Sequence, residues 1–351
     1  MRRVRPRTTF AGSGGARLRA AGVQLACDTS EWASIGPISA LAKIPALYVS
    51  MRRLERALRT RPPKLLITVD FGAFHLRLLQ RLRRVGYGGQ ALYYFPPGAW
   101  LDSASQARAV AAVATALTPF EHQHGFYGRL GLQAFYFGHP LVSVIPQRPA
   151  RDVAASPCIA ILPGSRAEEV ALHVPVLVRA AAALTGSSAR FEIVAASGSR
   201  SREIGALWRR HGGPPANISC ADGQAVFDRA DLAWVASGTA VLEAALRGIP
   251  QVTFYRVSAL QYRIAKRRVP KLVAGPITLP NLVLRSRVVP ELLQDGFTPR
   301  ALVDASIRLL RSGQERNASL HAYRDLRRAL GPPDALGRIA AFVASRLANA
   351  S

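Results

Sequence analysis

Short apolar runs alternate along the chain with longer stretches in which apolar residues recur every three to four positions. In the first half, LLITVDF (65–71), ALYYF (91–95) and AFYFG (134–138) predict strands, as do CIAIL (158–162), FEIVAA (191–196), DLAWVAS (231–237) and PQVTFY (250–255) in the second. Between the first two, HLRLLQRLRRVG spaces its leucines for a helix and stops at Gly86. Strand and helix in alternation predict parallel sheets in an α/β architecture. The stretch 145–157, IPQRPARDVAASP, breaks the apolar rhythm with Pro, Arg and small polar residues and is the candidate linker. It divides a first domain, 1–147, from a second, 148–333, with a cleft expected between them. From Thr298 onward the pattern is helical, and the last helix is expected from about Asp334.

Composition narrows the partners. With 351 residues, 49% hydrophobic and 19% charged, the chain has a globular composition and length for two cores. The formal charge of +26, from 47 Lys and Arg against 21 Asp and Glu, points either to an anionic partner or to an arginine-rich codon bias. Lysine occurs only at Lys43, Lys64, Lys266 and Lys271. No nucleic-acid module is present, and aromatics are not interleaved with the basic runs, which disfavours a specific nucleic-acid partner. Cys27, Cys158 and Cys220 have neither a zinc nor a disulfide-framework spacing, so a reducing cytoplasm is the simplest home. No apolar run approaches the ~18 residues of a membrane helix, so membrane contact is expected to be peripheral.

Two strand ends carry candidate chemistry. In ILPGSRAEEV (161–170) a strand runs into Gly164 and Ser165, then Arg166, then a helix. Backbone N–H groups at such a corner approach an anion closely, and a guanidinium adds a planar donor fork. An ordinary turn with an exposed arginine reads the same way. The second corner, Ser237, Gly238 and Thr239, again lies between a strand and a helix, which Gly248 closes. Glu243 follows one turn in, either to accept from a sugar hydroxyl pair or to favour the helix dipole. Two such corners at one sheet edge suit a nucleoside diphosphate.

The order LPGSRAEEV, ASGTAVLEAAL, YRVSALQYRIAKRRV, LPNLV and VVPELLQ, preceded by FAGSGGARLRAAGV, ITVDFGAF, LYYFPPGAW and PFEHQHGFYGRLGLQAFYFGHPLV, resembles the lipid-A-disaccharide synthase family from Phe10 to about Leu330. The resemblance implies a GT-B fold of two Rossmann-like domains facing across a cleft, the C-terminal helix (334–351) packing back on the first. It implies an inverting, metal-independent glycosyltransferase without cofactor, at the inner face of the bacterial inner membrane. The reaction implied moves 2,3-diacylglucosamine from UDP to the 6-hydroxyl of 2,3-diacylglucosamine 1-phosphate, giving a β-1,6 disaccharide 1-phosphate. Another UDP-sugar lipid transferase and a non-catalytic paralogue are the alternatives.

By the same resemblance Asp70 is the candidate base, its alternative being a structural acid at a turn. Gly164, Ser165, Arg166, Ser237, Gly238, Thr239, Glu243, Arg256 and Asn281 are the expected UDP and phosphate site. His139, Glu291 and Gln294 are further sugar or ribose candidates, though Glu291 and Gln294 also read as polar helix residues. His122, His124 and His139 are expected to be loop or helix polar residues rather than metal ligands. The segment 255–271 joins Leu260, Tyr262 and Ile264 to Arg263, Lys266, Arg267, Arg268 and Lys271, a composition suited to an anionic membrane surface, and 50–64 is a second basic cluster. A solvated basic helix is the alternative for both.

Two departures accompany the resemblance. Family members place a strand, a Gly-Glu-x-Ser-Gly-Asp loop and a helix before the counterpart of Phe10, roughly 30 residues, so the first domain is expected to lack this pair and to expose a sheet edge. On the acceptor side, Trp100 is followed by Arg108 alone instead of several basic residues, and Ala73 and His75 stand where the family has an aspartate and an asparagine.

Overall fold

The computed structural model describes residues 8–29, 37–98, 100, 102–149, 151–220, 223–268, 275–311 and 313–349. The chain divides into two compact units, Met1–Ser143 with Leu330–Ser351, and Val144–Ala329.

Unit 1 contains β1 (Ala11–Gly14), α1 (Ala16–Ala20), β2 (Gln24–Asp28), α2 (Pro37–Thr60), β3 (Leu65–Val69), α3 (Gly72–Arg84), β4 (Gln90–Tyr94), α4 (Ala104–Ala111), β5 (Thr115–Thr118), α5 (Glu121–Arg129) and β6 (Ala134–Tyr136). A short helix, α6 (Leu141–Val144), ends this run of the chain. Strands β1 and β2 pair in parallel by themselves, and β3, β4, β5 and β6 form a parallel sheet in that order. Met51 of α2 packs with Phe74, Leu78 and Leu82 of α3. On the same sheet, Ile339 and Val343 of the last helix, α15 (Ala335–Ala348), pack against Leu92 and Leu117, with Phe135 and Phe342 alongside. β3 stands at one edge of the four-stranded sheet, and its Ile67 and Val69 are exposed.

Unit 2 is built from β7 (Cys158–Leu162), α7 (Ala167–Ala183), β8 (Arg190–Val194), α8 (Gly198–Arg210), β9 (Ala216–Ser219), α9 (Gly223–Arg229), β10 (Leu232–Ala236), α10 (Thr239–Arg247), β11 (Gln251–Tyr255), α11 (Ala259–Arg268), α12 (Leu279–Leu284), β12 (Glu291–Leu293), α13 (Pro299–Arg311) and α14 (Gly313–Ala329). The six strands are parallel in the order β12, β11, β10, β7, β8, β9. CIAIL and LAWVA are continuous apolar runs because both faces of the central strands are covered. One face carries Ile159, Ile161 and Trp234 against α7, α8 and α13, and the other carries Ala160, Ala233 and Val235 against α9 and α10.

Within the stretch 145–157, Arg148 and Arg151 are tied to unit 2. Nη1 of Arg148 donates to the carbonyls of Phe227, Asp228 and Ala230, closing the end of α9. Arg151 pairs with the buried Asp231 at 2.9 Å, and that carboxylate also accepts the N–H of Cys158. Rather than on a helix, Glu291 lies on edge strand β12, where Thr253 is its parallel partner.

Candidate nucleotide corners and candidate base

The Gly164 corner closes on itself. Glu169, three residues into α7, accepts from the N–H groups of Ser165 and Arg166, each at 3.3 Å, and from Nη1 of Arg166 at 2.6 Å. Gly164 has φ +119°, a conformation that favours glycine, and a Cβ there would crowd the Glu169 carboxylate, with Oε2 at 2.9 Å. The phosphate-binding N–H group expected at Ser165 therefore faces a carboxylate of its own helix, and the exposed Arg166 guanidinium is what the corner offers outward. Tyr255, at the end of β11, donates its hydroxyl to Glu169 at 3.3 Å. Burial, and then the charge of Glu169, push the Tyr255 pKa up, so it remains a donor.

The second corner is open. Gly238 precedes α10, no side-chain cap bond forms at the helix start among the described residues, and Gly238 and Thr239 are exposed, with Ser237 partly so. The first N–H groups of α10 are thus available to an outside acceptor. Strand β10 pairs directly with β7, so the two corners are neighbours. Glu243 is partly buried one turn into α10, inside the helix that Gly248 ends at φ +75°.

Arg256, just past β11, is held by its own unit. Its guanidinium donates to the carbonyls of Gln294 and Phe297 and stacks on the Phe297 ring. Asn281 is fully buried with both ends of its amide engaged, donating to Val289 O and Glu291 Oε1 and accepting from the N–H groups of Val288 and Val289. Glu291 accepts from the N–H groups of Ile277 and Thr278 and from the Thr278 hydroxyl. Asn281 and Glu291 thus brace the turn before α12, and Gln294, at φ +50°, reaches Arg256 through its carbonyl.

In unit 1, Asp70 and Phe71 leave β3 in succession with φ of +51° and +48°. Two non-glycine residues in the left-handed region form a strained corner, held by three bonds. Asp70 N–H donates to Tyr94 O, and its carbonyl accepts from the Tyr93 hydroxyl and from Nδ1 of His75. Burial pushes the His75 pKa down, favouring the neutral ring. The Asp70 residue itself is exposed. His139 is buried beside the rings of Phe95 and Phe120, and burial pushes its pKa down to about 4. His122 stacks on Trp100 with ring centroids 4.1 Å apart. Helix α5 starts at Glu121, which places His122 and His124 in its first turn.

A family model described as lipid-A-disaccharide synthetase matches residues 1–335. The chain belongs to the lipid-A-disaccharide synthase family. Lipid-A-disaccharide synthase of Solibacter usitatus is 34% identical over 328 residues, covering 90% of this chain and 84% of that relative. The Myxococcus xanthus enzyme is 34% identical over 361 residues, covering 98% and 91%. Among solved structures, an Acinetobacter baumannii MurG has a TM-score of 0.51 at 12% identity, covering 96% of this chain and all of that one. The calicheamicin glycosyltransferase CalG4 has a TM-score of 0.56 at 17% identity, covering 98% and 92%. The fold is GT-B, and the family makes the chain a hexosyltransferase with a UDP-sugar donor and a lipid-linked sugar acceptor.

Two surfaces within this family member combine exposed apolar and basic side chains. On α11, Leu260 (55% exposed) and Ile264 (48%) lie one turn apart beside the exposed Arg263, Lys266 and Arg267. The Arg268 side chain and Lys271 lie outside the described residues. On α2, the exposed Ile44, Tyr48 and Val49 are followed by exposed Arg52, Arg53, Arg56 and Arg59. Among the described residues no helix is long and apolar enough to cross a membrane.

Proposed function

We propose that the chain transfers 2,3-diacylglucosamine from UDP to the 6-hydroxyl of 2,3-diacylglucosamine 1-phosphate. The acceptor oxygen attacks C1 of the donor sugar, the bond from C1 to the UDP oxygen breaks with inversion, and Asp70 takes the hydroxyl proton. The observation that carries this reading is the open N-terminus of α10 beside the Arg166 corner on the neighbouring strand. N–H groups of Thr239 and Ala240 meet the diphosphate, and Arg166 offsets the charge that develops as UDP leaves. Ser237 and Glu243 bind from the same corner. Arg256, Asn281, Glu291 and Gln294 act mainly by holding the surrounding turns, and His139 shapes the surface around Phe95 and Phe120.

The acylated substrates reside at a bilayer, and α11 and the second half of α2, in the basic stretch 50–64, are the proposed contacts with an anionic cytoplasmic membrane surface. Basic residues at such a surface contribute about 1 kcal/mol each, and exposed apolar residues anchor the contact. The test is mass-spectrometric detection of the disaccharide 1-phosphate from the purified protein supplied with both monosaccharide substrates. Product is expected. UDP binding without product would overturn the acceptor assignment and point to another lipid acceptor.

A further inference from the structure

Helix α7 turns two polar side chains, Glu169 and His173, into unit 2 one turn apart. Both are buried, His173 completely. Each reaches the same two strand ends. Glu169 holds the Ser165 and Arg166 corner after β7 and accepts from Tyr255 at the end of β11. His173 places Nδ1 2.7 Å from the Pro163 carbonyl after β7 and Nε2 3.0 Å from the N–H of Arg256 after β11. Between β7 and β11 lies β10, whose end is the open Ser237 to Thr239 corner. The two side chains therefore tie together the flanking strand ends on either side of the central one.

The chemistry of the ring is determined by its partners. Nδ1 donates to the Pro163 carbonyl at 2.7 Å, while Nε2 faces both the N–H of Arg256 at 3.0 Å and its carbonyl at 3.2 Å; in the neutral ring that burial favours, with the hydrogen on Nδ1, Nε2 accepts from the N–H. Burial pushes the His173 pKa down, and Phe254 and Phe297 pack edge-on to the ring. The charged or titratable groups around it are Glu169 on its own helix and Tyr255 and Arg256 at the end of β11.

We propose that Glu169 and His173 are positioning residues of the donor site, setting the spacing of the strand ends after β7 and β11, and with it the place of Arg166, on either side of the α10 corner to admit a nucleoside diphosphate. This deepens the donor-site reading above and rests on it. Neither side chain need touch the nucleotide. Glu169 orients the Arg166 guanidinium, and His173 fixes the backbone from which Arg256 projects.

The experiment compares His173→Leu, His173→Gln and Glu169→Gln with the wild-type chain in UDP titration calorimetry, thermal melts and steady-state kinetics. His173→Leu fills space without hydrogen bonding, whereas His173→Gln restores a donor and an acceptor. Loss of these buried bonds is expected to weaken UDP binding about tenfold in His173→Leu. The KM for the UDP-sugar rises while that for the lipid acceptor stays unchanged, and His173→Gln recovers most of the affinity. Glu169→Gln is expected to weaken UDP binding in a protein that still melts cooperatively, and it decides the matter if His173→Leu does not fold. Folded variants that bind UDP as the wild type does would overturn the proposal. Arg166→Ala separates the two levels. Weakened UDP binding there, with Glu169 and His173 variants unaffected, would remove only the positioning role, whereas unchanged binding in Arg166→Ala would remove the donor-site reading and the proposal with it.

Discussion

At Asp70 two consecutive left-handed residues hold an exposed carboxylate at the end of β3, and the bonds to Tyr93, Tyr94 and His75 go through the Asp70 backbone. Asp70→Asn preserves that corner and removes the base. Turnover should fall about 10²- to 10⁴-fold, while UDP affinity measured by calorimetry stays at the wild-type value. His139 makes a separate prediction about stability. Its folded pKa of about 4 lies below the ordinary 6.5, so the unfolded chain binds the proton more readily between those values. The stability it contributes is complete above pH 6.5 and is lost as pH falls toward 4, about 3 kcal/mol in all. Denaturant unfolding across that window should show the loss, and His139→Gln should flatten it. His75, also depressed by burial, adds in the same direction.

At the scale of elements, what was legible depended on how completely each strand is covered. CIAIL, DLAWVAS and PQVTFY could be read because strands buried on both faces are apolar throughout. β5 is TALT, β9 is ANIS and β12 is ELL, and pairing with neighbours makes them strands where their own composition does not. The two corners were visible as glycine and hydroxyl residues between strand and helix. The cross-ties were not, since Glu169 meets Tyr255 across 86 residues and His173 meets Arg256 across 83. The one local hint was an acid three residues after Arg166, the spacing of a helix cap. Helix α11 supplies the prediction at this scale. Replacing Leu260 and Ile264 together by Glu should reduce sedimentation with anionic liposomes while leaving UDP affinity intact. Wild-type binding that is equally strong to neutral liposomes, and insensitive to salt, would count against an electrostatic contact.

Across the whole molecule, the arginine surplus is put to different uses, among them ion pairs such as Arg151 with Asp231. Arg83, Arg148, Arg256, Arg316 and Arg327 donate to backbone carbonyls at helix and strand ends, a structural use of positive charge. Arg53, Arg56, Arg263 and Arg267 are exposed on α2 and α11, facing outward. The net charge in the sequence could not separate these groups, because the carbonyls that the first set meets are brought to it by the fold. UDP should slow amide hydrogen exchange at the ends of β7 and β10 in unit 2, and equal slowing at β3 of unit 1 would argue against the proposed donor site.

The edge of β3 has a practical consequence for anyone handling the purified protein. Among the described residues no strand pairs with the outer edge of LLITV, where Ile67 and Val69 are exposed and no charge lies along its length. Such an edge can zip onto its counterpart in another molecule, so shelf life at high concentration is expected to depend on the five residues that directly follow the basic stretch 50–64. Val69→Lys would place a charge there, and light scattering during storage should show a slower rise than for the wild-type chain.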